Sequence, residues 1–234
     1  MAAPAEVTID NLNGTFVMDK TFSNYSSDVE PLFVLQGVSW LTRKALSYAT
    51  ITLQIKEYTG APPEAEDANK QVRRIDIDQT VTGGIKGTTE RRVLDWKNRP
   101  HSDHVFGNVV GQSRFVRGSA SDGGKVRPAL EVQTEVKDEK IARFLRGEIL
   151  GDGTEVDGFL VEDPNDLDAV TAGSAAAEGQ GLWLQNFVRS QDSGWTAEQV
   201  WGFELVNGER RHTRRVVVAK GDKYQLARLV YNHS

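Results

Sequence analysis

A hydrophobic period of two runs through most of this 234-residue chain and limits its fold more than any other feature. Ile51, Leu53 and Ile55 alternate with Thr52, Gln54 and Lys56; Ile75 and Ile77 alternate with Asp76 and Asp78; Trp201, Phe203 and Leu205 alternate with Gly202 and Glu204. Side chains that change face at every residue suit half-buried antiparallel strands. The same reading predicts strands over about 14–18, 86–96, 104–117, 129–136, 157–162, 181–190, 209–219 and 223–231. The expected architecture is mainly β: an antiparallel β-barrel of about ten strands, one domain over residues 1–234. Wrapping a sheet on itself covers one face and removes its open edges.

Turn chemistry sets the order of the last strands. Asn207-Gly208 supplies the two positive φ angles of a type I′ hairpin, and Gly221-Asp222 suits a type II′ turn. Three hairpin-linked strands therefore end the chain. Helices are few. An S-x-x-E signature from Ser27 or Asp28 to Glu30, with Pro31 in the first turn, predicts one. Others are expected over about 38–47 and 138–146, the first two forming a short helix-turn-helix. Residues 1–11 read as a flexible N-terminus, and 60–70 and 162–180 as surface loops rich in Ala, Gly, Pro and acidic residues.

With no cysteine, disulfides, thiolate zinc sites and a cysteine nucleophile are excluded, which fits a reducing, cytoplasmic setting. Nothing approaches the roughly 18 apolar residues of a membrane span, so no stable membrane insertion is expected. A net charge of -5 argues against nucleic acid as a partner. The one basic run, Arg210 to Arg215, reads as a solvated strand surface.

On a helical wheel Val38, Leu41, Ala45 and Tyr48 form one stripe and Trp40, Arg43, Lys44 and Ser47 lie opposite. Trp40 then either packs under the preceding helix or stands at the lip of a cavity between cations. The order Gly14-Thr15-Phe16, two short helices, "GVSWLTRKAL" and an extended "ATITLQI" resembles the intracellular fatty-acid-binding proteins of the calycin superfamily. Gly37, Val38, Trp40, Thr42, Arg43 and Lys44 carry the match, with a weaker echo in "KGTTE", Lys86 to Glu90. The resemblance covers residues 12 to about 117 and, loosely, the last two strands; 118–200 have no counterpart, so this looks like an enlarged relative. It implies a calycin-like barrel capped by the helix pair, with Arg43 and Lys44 near the entrance assisting an oxygenated end of a ligand. That family holds carboxylates with an R-x-Y pair on the last strand. Here Arg228 and Tyr231 are three positions apart and face opposite sides of a regular strand.

The aromatic rings read either as packed core and barrel plugs or as the walls of a ligand cavity, and both can hold together: Trp96, Phe115, Trp183, Trp201 and Phe203, with Trp40, Arg43, Lys44, Arg228 and Tyr231, make up the candidate ligand-binding set. His101, Asp103 and His104 read chiefly as turn residues after Pro100. His104 is the better acid-base candidate, at the start of a strand, and Tyr231 is the other. Asp163, Asp166 and Asp168 lack the glycine and glutamate of a helix-loop-helix calcium site, and "GGIKGTT" lacks phosphate-loop order. No metal and no cofactor are expected. The function read from these residues is enclosure of a small hydrophobic molecule such as a fatty acid, terpenoid or polyketide-like metabolite. The alternative is a cofactor-independent cyclase or isomerase acting on such a metabolite in the same cavity, because lipocalin-like barrels include such enzymes.

Overall fold

The computed structural model describes residues 1–64, 71–83, 87–120, 124–167, 170 and 178–234. The elements run β1 (Gly14–Met18), a π-type turn (Tyr25–Val29), α1 (Glu30–Leu35), α2 (Trp40–Tyr48), β2 (Ile51–Gly60), β3 (Val72–Val81), β4 (Thr88–Val93), β5 (Arg99–Asp103), β6 (Gly107–Ala120), β7 (Val126–Pro128), α3 (Glu139–Leu145), β8 (Gln180–Ser190), β9 (Thr196–Val206), β10 (Glu209–Lys220) and β11 (Lys223–His233). Ten strands follow one antiparallel path, β4-β3-β2-β1-β11-β10-β9-β8-β6-β5, and β7 adds to β6. The sheet curls into an antiparallel half-barrel. Its two ends meet where Trp96 N–H donates to the Ser113 carbonyl at 2.9 Å.

Both C-terminal hairpins form as their turn residues require. Asn207 and Gly208 have φ of 52° and 76°, and Gly221 has φ 61°. The helices depart from their sequence signatures in detail. No side chain caps α1, whose N-cap is Val29, whereas Ser39 caps α2 and Asp138 caps α3. The wheel of α2 is turned, because Leu46 is its buried residue while Leu41 and Tyr48 face solvent at 72% and 84% exposure. The expected strands at 129–136 and 157–162 do not form; β7 is short, and Phe159 makes a lone bridge to Glu204. The N-terminal residues expected to be flexible are docked instead. Ala3, Val7 and Ile9 are buried, and Ala3 N–H donates to the Arg210 carbonyl at 2.7 Å. Parts of the two expected surface loops, 65–70, 168–169 and 171–177, lie outside the described residues.

Two cores sandwich the C-terminal half of the sheet. The inner one joins Phe16, Leu53, Ile55, Ile75, Ile77, Phe115, Leu184, Trp201, Phe203 and Tyr231. The outer one packs Val116, Trp183, Val200, Val217 and Leu226 under Ile141, Phe144 and Leu145 of α3, with Ile149 and Phe159. Much of the chain between β7 and β8 thus works as a buttress on the convex face. This overturns the solvated reading of the basic run. Arg210 pairs with Glu162 at 2.7 Å, while His212, Arg214 and Arg215 are buried. Arg215 donates to Glu204 at 2.8 and 3.1 Å and to the carbonyls of Phe144 and Ile149 at 3.1 and 2.5 Å, tying the buttress to β10.

A second buried group sits beside the docked N-terminus. Glu57 accepts from Leu12 N–H at 2.8 Å and from Arg73 at 2.9 Å. Burial pushes its carboxyl up to about 7, against the lowering by Leu12 N–H and Arg73. Among the described residues no helix is long and apolar enough to cross a membrane.

Two stability tests follow from these groups. Replacing Arg215 by Met leaves Glu204 buried without its main partner and is expected to cost about 3–5 kcal/mol in urea unfolding. A loss below about 1 kcal/mol would deny the tie its role. Glu57 binds its proton more tightly folded than unfolded, so its contribution is full below about pH 4.5 and is lost as pH rises through about 7. Between pH 4.5 and 8 the wild type should therefore lose about 3 kcal/mol relative to Glu57→Gln.

Candidate functional site

The inner face carries a belt of polar side chains placed by strand register. Ile75 opposite Arg92 and Ile77 opposite Glu90 turn both charged residues inward from β4. The same register turns Ser113 and Asn186 inward, Asn186 sharing a face with Leu184 and Ser113 lying opposite Asn186. Arg92 donates to Glu90 at 2.5 and 2.8 Å, to Asn186 at 3.1 Å and to Ser113 at 3.4 Å, so it bridges the meeting ends of the sheet. It also lies over Trp201, 5.5 Å from the ring centre. Arg214 also lies over that ring, 3.7 Å from its centre, and stands 5.2 Å from the ring centre of Tyr231.

Electrostatics hold the belt in fixed charge states. Burial works to raise the Glu90 carboxyl, but the charges of Arg92 and Arg214 and the Arg92 hydrogen bonds outweigh it and keep it below the usual range. Burial, then the Arg214 charge, push His212 well below the ordinary imidazole value. It stays neutral, with Nδ1 3.2 Å from the Gly202 carbonyl and Nε2 accepting from Arg214 at 3.3 Å. Burial raises the Tyr231 phenol, which stays protonated.

A cavity of about 440 Å³ opens beside this belt, where β4 faces β5 and β6. That is within the roughly 300–1,000 Å³ of small-molecule sites. Its apolar wall is Phe106, Val109, Val188, Trp195 and Ala197; its polar side is Glu90, Arg92, Arg99, His101, Asp103, Ser113 and Gln199. Aromatic contacts run from α1 through Phe33 to Phe106 at 6.5 Å and on to Trp195 at 5.9 Å, which ties the helical cap to the cavity wall. Two polar atoms here, Trp195 Nε1 and His101 Nε2, are buried with no hydrogen-bond partner. His101 Nε2 lies 3.5 Å from Asp103 Oδ2, which leaves the Trp195 N–H as the unpartnered donor of the wall, suited to a polar group of a guest.

The residues singled out from sequence are scattered around this geometry. Phe115, Trp201, Phe203 and Tyr231 lie in the inner core, and Trp201 is held by a 2.8 Å bond to the cavity residue Gln199. Trp183 faces the outer core under the buttress. Trp96, with φ 58°, stacks under Arg114 at 4.1 Å away from the cavity. Trp40 is 65% exposed and neither packs under α1 nor lines the cavity; Lys44 is exposed, and Arg43 ties α2 to Glu30 at 3.0 Å. Arg228 and Tyr231 do face opposite sides: Arg228 reaches Glu204 on the convex face at 3.2 Å. His104 is exposed and outside the cavity lining, whereas its neighbours His101 and Asp103, read as turn residues, sit on β5. Pairing of His101 with Val109 and of Arg99 with Gly111 turns them inward.

Alternation also carried a signal for Glu90 and Arg92, since Thr88, Glu90 and Arg92 share one face, but a charged face normally reads as solvent. Among the described residues no three His, Cys, Asp or Glu side chains are grouped to hold a metal. Asp163 instead pairs with Arg117 at 3.0 Å, and Asp168 lies outside the described residues.

No family model matches the chain. Two proteins match it from end to end. One is Pericyclase pydY of Acremonium sp, 25% identical over 233 residues, covering 100% of this chain and 97% of that protein. The other is Probable pericyclase scpY of Mollisia scopiformis, 23% identical over 232 residues and covering 99% and 94%. Among solved structures the chain is similar to As-p18, an extracellular fatty acid binding protein, at 12% identity and a TM-score of 0.37 over 95% of both chains.

The cavity can be closed from its apolar side. Ala197→Phe adds a ring where the wall meets Gln199 and should weaken binding of an apolar fluorescent probe at least about tenfold, with an unchanged circular dichroism spectrum. Undiminished probe binding would mean that the probe, and the guest it stands for, sits elsewhere.

Proposed function

We propose that this chain is a cofactor-free cyclase of the pericyclase type, acting on an unsaturated, largely apolar metabolite in the cytoplasm as a step of secondary metabolism. The observation that carries the reading is the two-sided cavity: an apolar wall that carries the buried, unpartnered Trp195 N–H, and a polar side that includes Glu90, Arg92 and His101. End-to-end similarity to two proteins named as pericyclases supports it.

Ring closure of this kind needs neither a titrating group nor an electron carrier. It needs two ends of a flexible molecule held at reacting distance, and such positioning can lower the barrier by roughly a few kcal/mol, part of what bringing two separate reactants together supplies. The apolar wall would fold the hydrocarbon part, at about 25 cal/mol per Å² of apolar surface buried. The Trp195 N–H and the Arg92 guanidinium are fixed donors for an oxygen conjugated to the reacting alkene. Hydrogen bonds to that oxygen draw electron density out of the alkene and strengthen as charge shifts during closure. Glu90 stays a carboxylate beside Arg92 and keeps that guanidinium in place.

Carriage of the same guest without turnover is the second reading, favoured by the apolar inner core that continues behind the cavity. The separating experiment is native mass spectrometry of the protein from its producing organism, followed by incubation of the released guest's acyclic form with purified protein. A product of unchanged mass and new retention time, formed faster than without protein and lost in Ala197→Phe, is the expected result. Recovery of the acyclic molecule unaltered would leave carriage; absence of any guest would count against the cavity itself.

A further inference from the structure

Ring closure leaves unused a pair of groups on the cavity wall. His101 and Asp103 are both turned inward by pairing of β5 with β6, and His101 Nε2 stands 3.5 Å from Asp103 Oδ2. Asp103 is fixed by its other oxygen, which accepts from Val105 and Phe106 N–H, both at 2.7 Å. His101 Nε2 is buried and makes no hydrogen bond. The pair has the parts of an orienting carboxylate and a base: with the proton on Nε2 beside Asp103, Nδ1 keeps its lone pair. Such contacts are commonly long before a substrate draws them together. On the β4 side of the cavity Arg92, paired with Glu90, offers a guanidinium to an oxyanion.

From this placement we propose a second activity in the same cavity: His101, oriented by Asp103, moves a proton on a bound carbonyl compound and shifts its double bond into conjugation. The proposal rests on the cavity being the substrate site. His101 removes a proton from the carbon between carbonyl and alkene. The electron pair of that C–H bond passes into an enolate, its oxygen stabilised by Arg92. The imidazolium then returns a proton to the far alkene carbon. One C–H bond breaks, another forms, and the formula is unchanged, so no co-reactant is needed. The product is a conjugated enone, the electron-poor alkene that a subsequent ring closure uses best. Proton transfer would thus prepare the substrate that cyclisation consumes.

The probe is 1-phenyl-3-buten-1-one, small enough for the cavity, whose conversion to its conjugated isomer is followed by absorbance. In D2O the wild type is expected to accelerate this conversion and place deuterium on the terminal carbon. His101→Gln should lose at least about 100-fold in kcat while still binding the probe, read by quenching of tryptophan fluorescence. Asp103 is a positioning residue: Asp103→Asn keeps the acceptor for Val105 and Phe106 and should lower kcat about tenfold or more with KM unchanged. Asp103→Glu should recover part of that loss. A wild type that binds the probe without isomerising it, or a His101→Gln variant as fast as wild type, overturns the dyad and leaves the cavity reading standing. A wild type that does not bind the probe removes the cavity reading and this proposal with it.

Discussion

Strand β10 must bury arginine on both of its faces, and the rest of the molecule is arranged around that demand. A guanidinium taken out of water needs a carboxylate, carbonyls or aromatic faces to replace its hydration. On the convex side Arg215 finds Glu204 and two backbone carbonyls, Phe144 at the end of α3 and Ile149 just beyond it. On the concave side Arg214 finds the faces of Trp201 and Tyr231 and the nitrogen of His212. The first set fixes the buttress; the second fixes the polar belt beside the cavity.

That division separates stability from chemistry. The outer core and the Arg215 tie hold the sheet's curvature from behind without touching the cavity. The inner core fills most of the half-barrel with its own side chains, so the guest space is what remains where β4 meets β5 and β6. Because those sheet ends are joined through Arg92, Ser113 and Trp96 and not by a strand ladder, side chains form the wall there, and the wall can be polar. Preorganised donors at a fixed distance from an apolar surface are what a conformer-selecting catalyst needs.

Much of the architecture was legible in the chain. The strands of the last meander, their turn types and the alternating segments at 51–60 and 72–81 follow from local rules that tertiary contacts did not override. The segments misread as strands, 129–136 and 157–162, are apolar because they cover an outer core, and a covering loop and a strand share that composition. The site was less legible. Aromatic residues drew attention as cavity walls, yet Trp183 and Trp96 serve the convex side and Trp40 is exposed. Arg92 and Glu90 read as solvent residues since single-residue hydropathy does not distinguish water outside from a polar belt inside.

The sequence by itself determined a curled antiparallel sheet with a helical cap and a C-terminal meander, because alternation, glycine φ and hairpin turns act over a few residues. Only the tertiary structure decided which face of each strand is concave and which charges meet there. It alone brought His101, Arg92 and Trp195, from three separate stretches of chain, to one cavity. Facing direction depends on register and curvature summed over the whole sheet, and a shift of one residue would exchange the two faces.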